Sequence, residues 1–153
     1  MSGERAPLEA GARGEADFVV QRSDTARALS MSPADDFPEV FATARMVALM
    51  ELAAARAMRP LLKEGELSVG VGLDVRHTAP TPVGCTVRAV ATCLGPEGRL
   101  WRFRVEAFDD AGRIGEGEHT RAVVTTARLL AGAARRGPGG NSTPENRWSG
   151  PAD

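Results

Sequence analysis

The sequence predicts an α+β fold in which one antiparallel sheet wraps a long central helix. Two observations predict it. Phe41 to Met58 is dense in helix formers and apolar around most of its circumference, and several stretches with the alternation or turn spacing of strands follow it. A helix that precedes a run of strands, instead of alternating with them, argues against a parallel sheet.

In chain order, Phe18, Val19 and Val20 make residues 17–22 a short strand, and the irregular stretch through Asp36 reads as a lid. Asp35 or Asp36 suits a helix cap, and Pro38 suits a first-turn position. In the helix, Met46, Val47, Leu49, Met50, Ala53, Ala54, Ala57 and Met58 leave little polar face, so it must be largely buried. It ends between Pro60 and Gly65. Val69, Val71, Leu73 and Val75 then alternate with Ser68, Gly70, Gly72 and Asp74, which puts two glycines on one face where another group can approach closely. Residues 86–94, 100–108 and 113–124 continue as strands, separated by the turn formers Gly95-Pro96-Glu97-Gly98 and Asp109-Asp110-Ala111-Gly112. An antiparallel meander curled around one helix is the hot-dog arrangement.

Length bounds the chain to one domain: 153 residues bury a core without disulfides or metal. Residues 1–15 lack an apolar period and 131–153 concentrate turn formers, so both read as flexible ends around a domain at 16–130. A net charge of −1 supplies no basic field for a nucleic-acid backbone or an anionic membrane. Of the 19 basic residues all but Lys63 are arginine, a bias that composition explains as readily as anion binding. Cys85 and Cys93 on one strand lie about 27 Å apart, which excludes a disulfide between them. No apolar run reaches the length of a membrane span and the start lacks a signal-peptide stretch, so a cytoplasmic enzyme is expected.

Candidate chemistry rests on few residues. Glu51 places one carboxylate among apolar neighbours, where desolvation raises its pKa or demands a partner; alternatively it occupies a wet edge of the helix or pairs with Arg56 or another arginine. Thr43 sits eight residues earlier, a rise of about 12 Å along a continuous helix, so the helix alone cannot join the two side chains. A bent helix entrance or a neighbouring subunit can. His77 closes a strand and carries the side chain best matched to proton transfer near neutral pH, although a lone strand-end histidine is more often structural. His119 and Arg121 share strand parity and either bind an anion or belong to a solvated face, with Glu116 and Glu118 beside them. Two cysteines and two histidines without CxxC or HExxH spacing predict no metal site, and no phosphate-cradling GxxxxGK[ST] or GxSxG is present. No cofactor is expected.

Three blocks in one order, FPEVFATARMVALMELAAARAM (37–58), VGVGLDVRHTAPTPVGCTVRAVA (69–91) and IGEGEHTRAVV (114–124), resemble the fluoroacetyl-CoA thioesterase family across residues 17–125. The resemblance implies a hot-dog homodimer that hydrolyses an acyl-CoA thioester at a subunit interface. By motif position it implies Thr43, Glu51 and His77 as catalytic residues, and Gly70, Arg121 and Phe37 as substrate-binding ones. Gly70 would bring a backbone N–H to the thioester oxygen, and Glu51 would attack the carbonyl or activate water. Two departures bear on substrate choice: Ala34 stands where the family carries a second phenylalanine, and Ala26 replaces a larger aliphatic residue of the lid. The competing readings are a non-catalytic hot-dog module that binds acyl thioesters or a protein partner, and a hot-dog hydratase. The hydratase lacks its Asp–His pair in residues 36–51, and the retained Thr43, Glu51 and His77 favour the thioesterase.

Overall fold

Five strands form one antiparallel sheet in the order β1-β3-β4-β5-β2, in a computed structural model that describes residues 8–140. The strands are β1 (Arg13–Val19), β2 (Glu66–His77), β3 (Thr86–Glu97), β4 (Leu100–Asp109) and β5 (Gly112–Thr125). Helix α1 (Thr43–Met58) lies on the inner face of the sheet, and α2 (Thr126–Arg136) follows β5. The α+β hot-dog prediction holds.

Small residues on both partners set the helix-to-sheet distance. Ala53, Ala54 and Ala57 on α1 are buried against Ala16, Ala89, Ala91 and Ala107 of the sheet, with Met46, Met50, Met58, Phe103 and Val105 filling the ends. At Gly14 the approach is closest: a Cβ there would overlap the Ala53 carbonyl oxygen and lie 2.6 Å from the Ala57 nitrogen. This glycine is required by contact with helix backbone, which cannot swing aside as a side chain could.

The expected elements stand with several corrections. β1 begins earlier than the predicted strand and inside the segment expected to be flexible, because its inward positions, Gly14 and Ala16, are too small to register as an apolar face. Neither Asp35 nor Asp36 caps α1, and Pro38 is not in its first turn. The helix starts at Thr43 from Ala42, which has no side-chain cap, and the Ala42 N–H donates to the Asp24 carbonyl at 2.9 Å. Asp35 instead closes a short 3₁₀ turn, accepting from the N–H groups of Met31 (2.6 Å) and Ser32 (2.9 Å). α2 extends past residue 130, where a tail was expected; the rest of that tail, 141–153, and residues 1–7 lie outside the described residues. Cys85 and Cys93 are both free.

The largest correction concerns β2. The register with β5 pairs Gly70 with Arg121 and Gly72 with Thr120, so Val71 is the extra residue of a β-bulge. A plain alternation would put both glycines on one face. The bulge puts Gly70 on the inner side and Gly72 against Thr120 on the other, and it switches the inner-facing set from Ser68 and Gly70 to Leu73, Val75 and His77.

The helix-to-sheet contact is tested by Gly14→Val, which should destabilise the fold by about 1–3 kcal/mol in urea denaturation. A variant of native stability would show that α1 can retreat from β1.

Candidate active site

Two groups of side chains gather on the inner side of the sheet. The first sits at the start of α1. Thr43, exposed in the first turn, shares a hydrogen bond of 2.8 Å between its Oγ1 and Nδ1 of His77, the last residue of β2. Phe41 packs edge-on against the His77 ring at 6.3 Å. Nε2 of His77 is buried and has no hydrogen-bond partner, a polar atom waiting for one. Burial lowers the His77 pKa below the ordinary 6.5, and the Ala79 backbone works in the opposite direction without meeting Nε2 at hydrogen-bonding geometry. A cavity of about 360 Å³ opens here, lined by Ala26, Pro38, Val40, Phe41, Ala79 and Pro80 beside Thr43 and His77.

The segment over this cavity is tethered from below. Buried Asp24 accepts from Nε (3.1 Å) and Nη2 (2.6 Å) of Arg45 on α1, and from the Gln21 N–H at 2.8 Å. Backbone bonds from Ala26 to Val40 and from Arg27 to Pro38 hold the two arms of the segment together. The predicted substrate contact Phe37 lies on this segment, 47% exposed, and does not line the cavity, although its neighbour Pro38 does.

The second group sits midway along α1. The Glu51 carboxylate rests directly over Gly70, where a Cβ would overlap Oε1. The glycine thus makes room for this carboxylate, which is partly exposed (38% of its side chain) and faces Arg121, as the alternative of a wet helix edge or an arginine partner had it. Arg121 Nη1 stands 3.8 Å from Glu51 Oε1 and His119 Nε2 4.0 Å from it. Both His119 and Arg121 are buried, at 1% and 6% exposure, so the solvated-face alternative for this strand is wrong. Arg121 donates from Nε to Ser68 Oγ (3.0 Å) and from Nη2 to the Ser68 carbonyl (2.8 Å). Burial lowers the pKa of Arg121, opposed by Glu51, and lowers that of His119, opposed first by the Gly72 carbonyl. A guanidinium stays charged through such a shift.

Within one protomer the two groups stay apart. Eight helical residues separate Thr43 from Glu51, about 12 Å of rise, and seven strand residues separate Gly70 from His77, about 23 Å at full extension.

Comparison with known proteins shows the family of the chain. Residues 20–127 match the family described as fluoroacetyl-CoA-specific thioesterase. The chain belongs to the fluoroacetyl-CoA thioesterase family. The fluoroacetyl-CoA thioesterase of Streptantibioticus cattleyicolor is 43% identical over 135 residues, covering 87% of this chain and 97% of that protein. A solved structure of the fluoroacetyl-CoA thioesterase FlK superposes with a TM-score of 0.80 at 45% identity, covering 85% of this chain and 98% of that one. A thioesterase superfamily member from Thermus thermophilus superposes at 0.77 with 31% identity, covering 85% and 93%. The chain is therefore a hot-dog thioester hydrolase. Among the described residues no His, Cys, Asp or Glu cluster could hold a metal ion, and no helix is long and apolar enough to cross a membrane. Of the residues around Glu51, Ser68 was missed by the sequence reading; only its parity with Gly70 marked it.

The depressed histidine pKa values have a sign. The unfolded chain takes up protons near pH 6.5 that the folded imidazoles refuse, so their contribution is complete above that value and is lost as pH falls through the lower folded values. The melting temperature should drop as pH falls below about 6.5, with a shallower drop in His77→Gln; parallel slopes would mean that His77 binds protons equally in both states.

Proposed function

We propose that this thioesterase hydrolyses short-chain acyl-CoA to the free acid and CoA at a site shared by two protomers, with Thr43, Glu51 and His77 as its catalytic residues. The observation that carries the shared site is the separation of the two groups: neither helix nor strand can bring Thr43–His77 to Glu51 within one chain. β2 is an edge strand with Val71 and Leu73 exposed at 50% and 45%. Pairing this edge with that of a second copy covers both side chains and satisfies the free backbone groups. The homodimer then sets Glu51 of one protomer opposite the Thr43–His77 pair of the other. A variant of the fluoroacetyl-CoA thioesterase solved with fluoroacetate and CoA, 46% identical with a TM-score of 0.74 over 79% of this chain, supports the substrate class. A cytoplasmic setting fits a CoA substrate.

In this reading the thioester carbonyl lies near Glu51, with the Gly70 N–H stabilising its developing charge and Arg121 holding the site positive. Glu51 attacks the carbonyl to form an acyl anhydride, or removes a proton from water that attacks it. His77, through its unpartnered Nε2, hydrogen-bonds the sulfur of the departing CoA thiolate, which takes its proton from water, and Thr43 on Nδ1 fixes the ring. Single turnover in ¹⁸O water followed by mass analysis of Glu51 separates the two routes, since only the anhydride exchanges oxygen with the side chain.

Glu51→Gln and His77→Ala should each lower turnover by about a hundredfold or more while keeping fold and dimer. Mixing the two inactive variants, with subunit exchange, should restore activity, because the heterodimer carries one site with both residues native. No recovery in verified heterodimers would place all three residues in one protomer's site.

Selectivity follows from the lid. With Ala26 on the cavity wall and Ala34 exposed on the 3₁₀ turn, the mouth is wider than two aromatic side chains would leave it, and water is less excluded. The enzyme should accept butyryl-CoA and favour fluoroacetyl-CoA over acetyl-CoA only weakly, and Ala26→Leu should lower kcat/KM for butyryl-CoA selectively. An equal effect on all three would remove Ala26 from the acyl pocket.

A further inference from the structure

His119 takes no part in the chemistry above, yet it is among the most buried polar side chains of the described residues. Its hydrogen bonds define its state. The Gly72 carbonyl, 2.8 Å from Nδ1, can only accept, so Nδ1 carries the proton. The Arg121 guanidinium, 3.1 Å from Nε2, can only donate, so Nε2 presents a lone pair. The imidazole is therefore neutral and in a single tautomer. Phe103, fully buried on β4, is its cross-strand neighbour and keeps water from that side.

This lone pair takes one of the two hydrogens on the Arg121 nitrogen that also faces the carboxylate. Nε and Nη2 are spent on Ser68, and Nη1 lies between His119 at 3.1 Å and Glu51 at 3.8 Å. Without that acceptor the guanidinium can tilt about its Ser68 contacts and bring Nη1 into a direct hydrogen bond with Glu51, a strong charge-assisted contact that pins the carboxylate and makes it a poorer nucleophile or base. We propose that His119 is a positioning residue: its Nε2 lone pair holds the Arg121 guanidinium back from the Glu51 carboxylate, and its Nδ1–H ties that assembly to the β2 bulge at Gly72. The carboxylate then feels a nearby positive charge without being locked by it. The inference rests on the reading of Glu51 and Arg121 as site residues.

Glutamine and asparagine divide the two functions of the ring. The amide of Gln reaches as far as Nε2 and can accept from Arg121; that of Asn reaches only as far as Nδ1 and can donate to Gly72. With acetyl-CoA and fluoroacetyl-CoA as probes, His119→Gln should keep kcat within about tenfold of native, whereas His119→Asn should lose about a hundredfold in kcat with little change in KM. In an Arg121→Ala background the Asn substitution should cost almost nothing more, because its target is gone. Ring ¹⁵N NMR of the full-length protein, which has only two histidines, should show His119 as the neutral Nδ1–H form, assigned by its loss in either variant. An Nε2–H form, equal effects of Asn and Gln, or a full Asn penalty persisting without Arg121 would each overturn the proposal. If His119→Asn does not fold, the tautomer and the Gln variant still decide. Glu51→Gln run alongside separates the two levels: native turnover there removes the site reading itself, while an inactive Glu51→Gln beside a native His119→Asn removes only the role of His119.

Discussion

The extra residue in β2 is the constraint on which the site depends. A strand of strict alternation that turned Ser68 and Gly70 toward the helix would turn Arg76, not His77, the same way. Val71 breaks the alternation, so one strand delivers a glycine under Glu51 at its middle and a histidine beside Thr43 at its end. The bulge also frees the Gly72 carbonyl to receive His119, which joins the neighbouring strand to the same irregularity. Such bulges re-aim side chains at functional sites.

Most of the fold was legible because it rests on long, strongly patterned elements. The apolar circumference of α1 and the turn sequences between β3, β4 and β5 carried the architecture directly. β1 was misplaced because burial there is achieved by Gly14 and Ala16, residues with almost no hydrophobic signature. The helix cap was misassigned because the acidic residues near Pro38 serve a turn of their own, and α1 is entered through a backbone bond to Asp24 that no local pattern announces.

The candidate site was legible as a set of residue types and not in its grouping. Glu51, Thr43 and His77 could be picked out by residue type and block order, but the bulge that aligns Gly70 with His77 has no sequence mark beyond a pair of glycines. His119 and Arg121 were visible as a same-face pair. Their burial was not, because it comes from the flanking strands β2 and β4, which supply Ser68, Gly72 and Phe103, and from Glu51 of α1, all distant in sequence, while Glu116 and Glu118 nearby suggested solvent. Ser68 contributes both a hydroxyl and a carbonyl to Arg121, a role that depends on register alone.

The alanine and glycine seam between α1 and the sheet has a consequence for how this enzyme can change. With helix backbone resting on strand backbone at Gly14, there is no space under the helix for a substrate, and selection cannot open any there without unpacking the core. A cavity opens outside that seam, beneath a segment of short 3₁₀ turns anchored by Asp24 and Arg45. Ala26, Pro38 and Val40 on its wall lie outside the core cluster and can be exchanged at little cost to folding. The shape of this cavity and the integrity of the fold are thus inherited largely on separate parts of the chain.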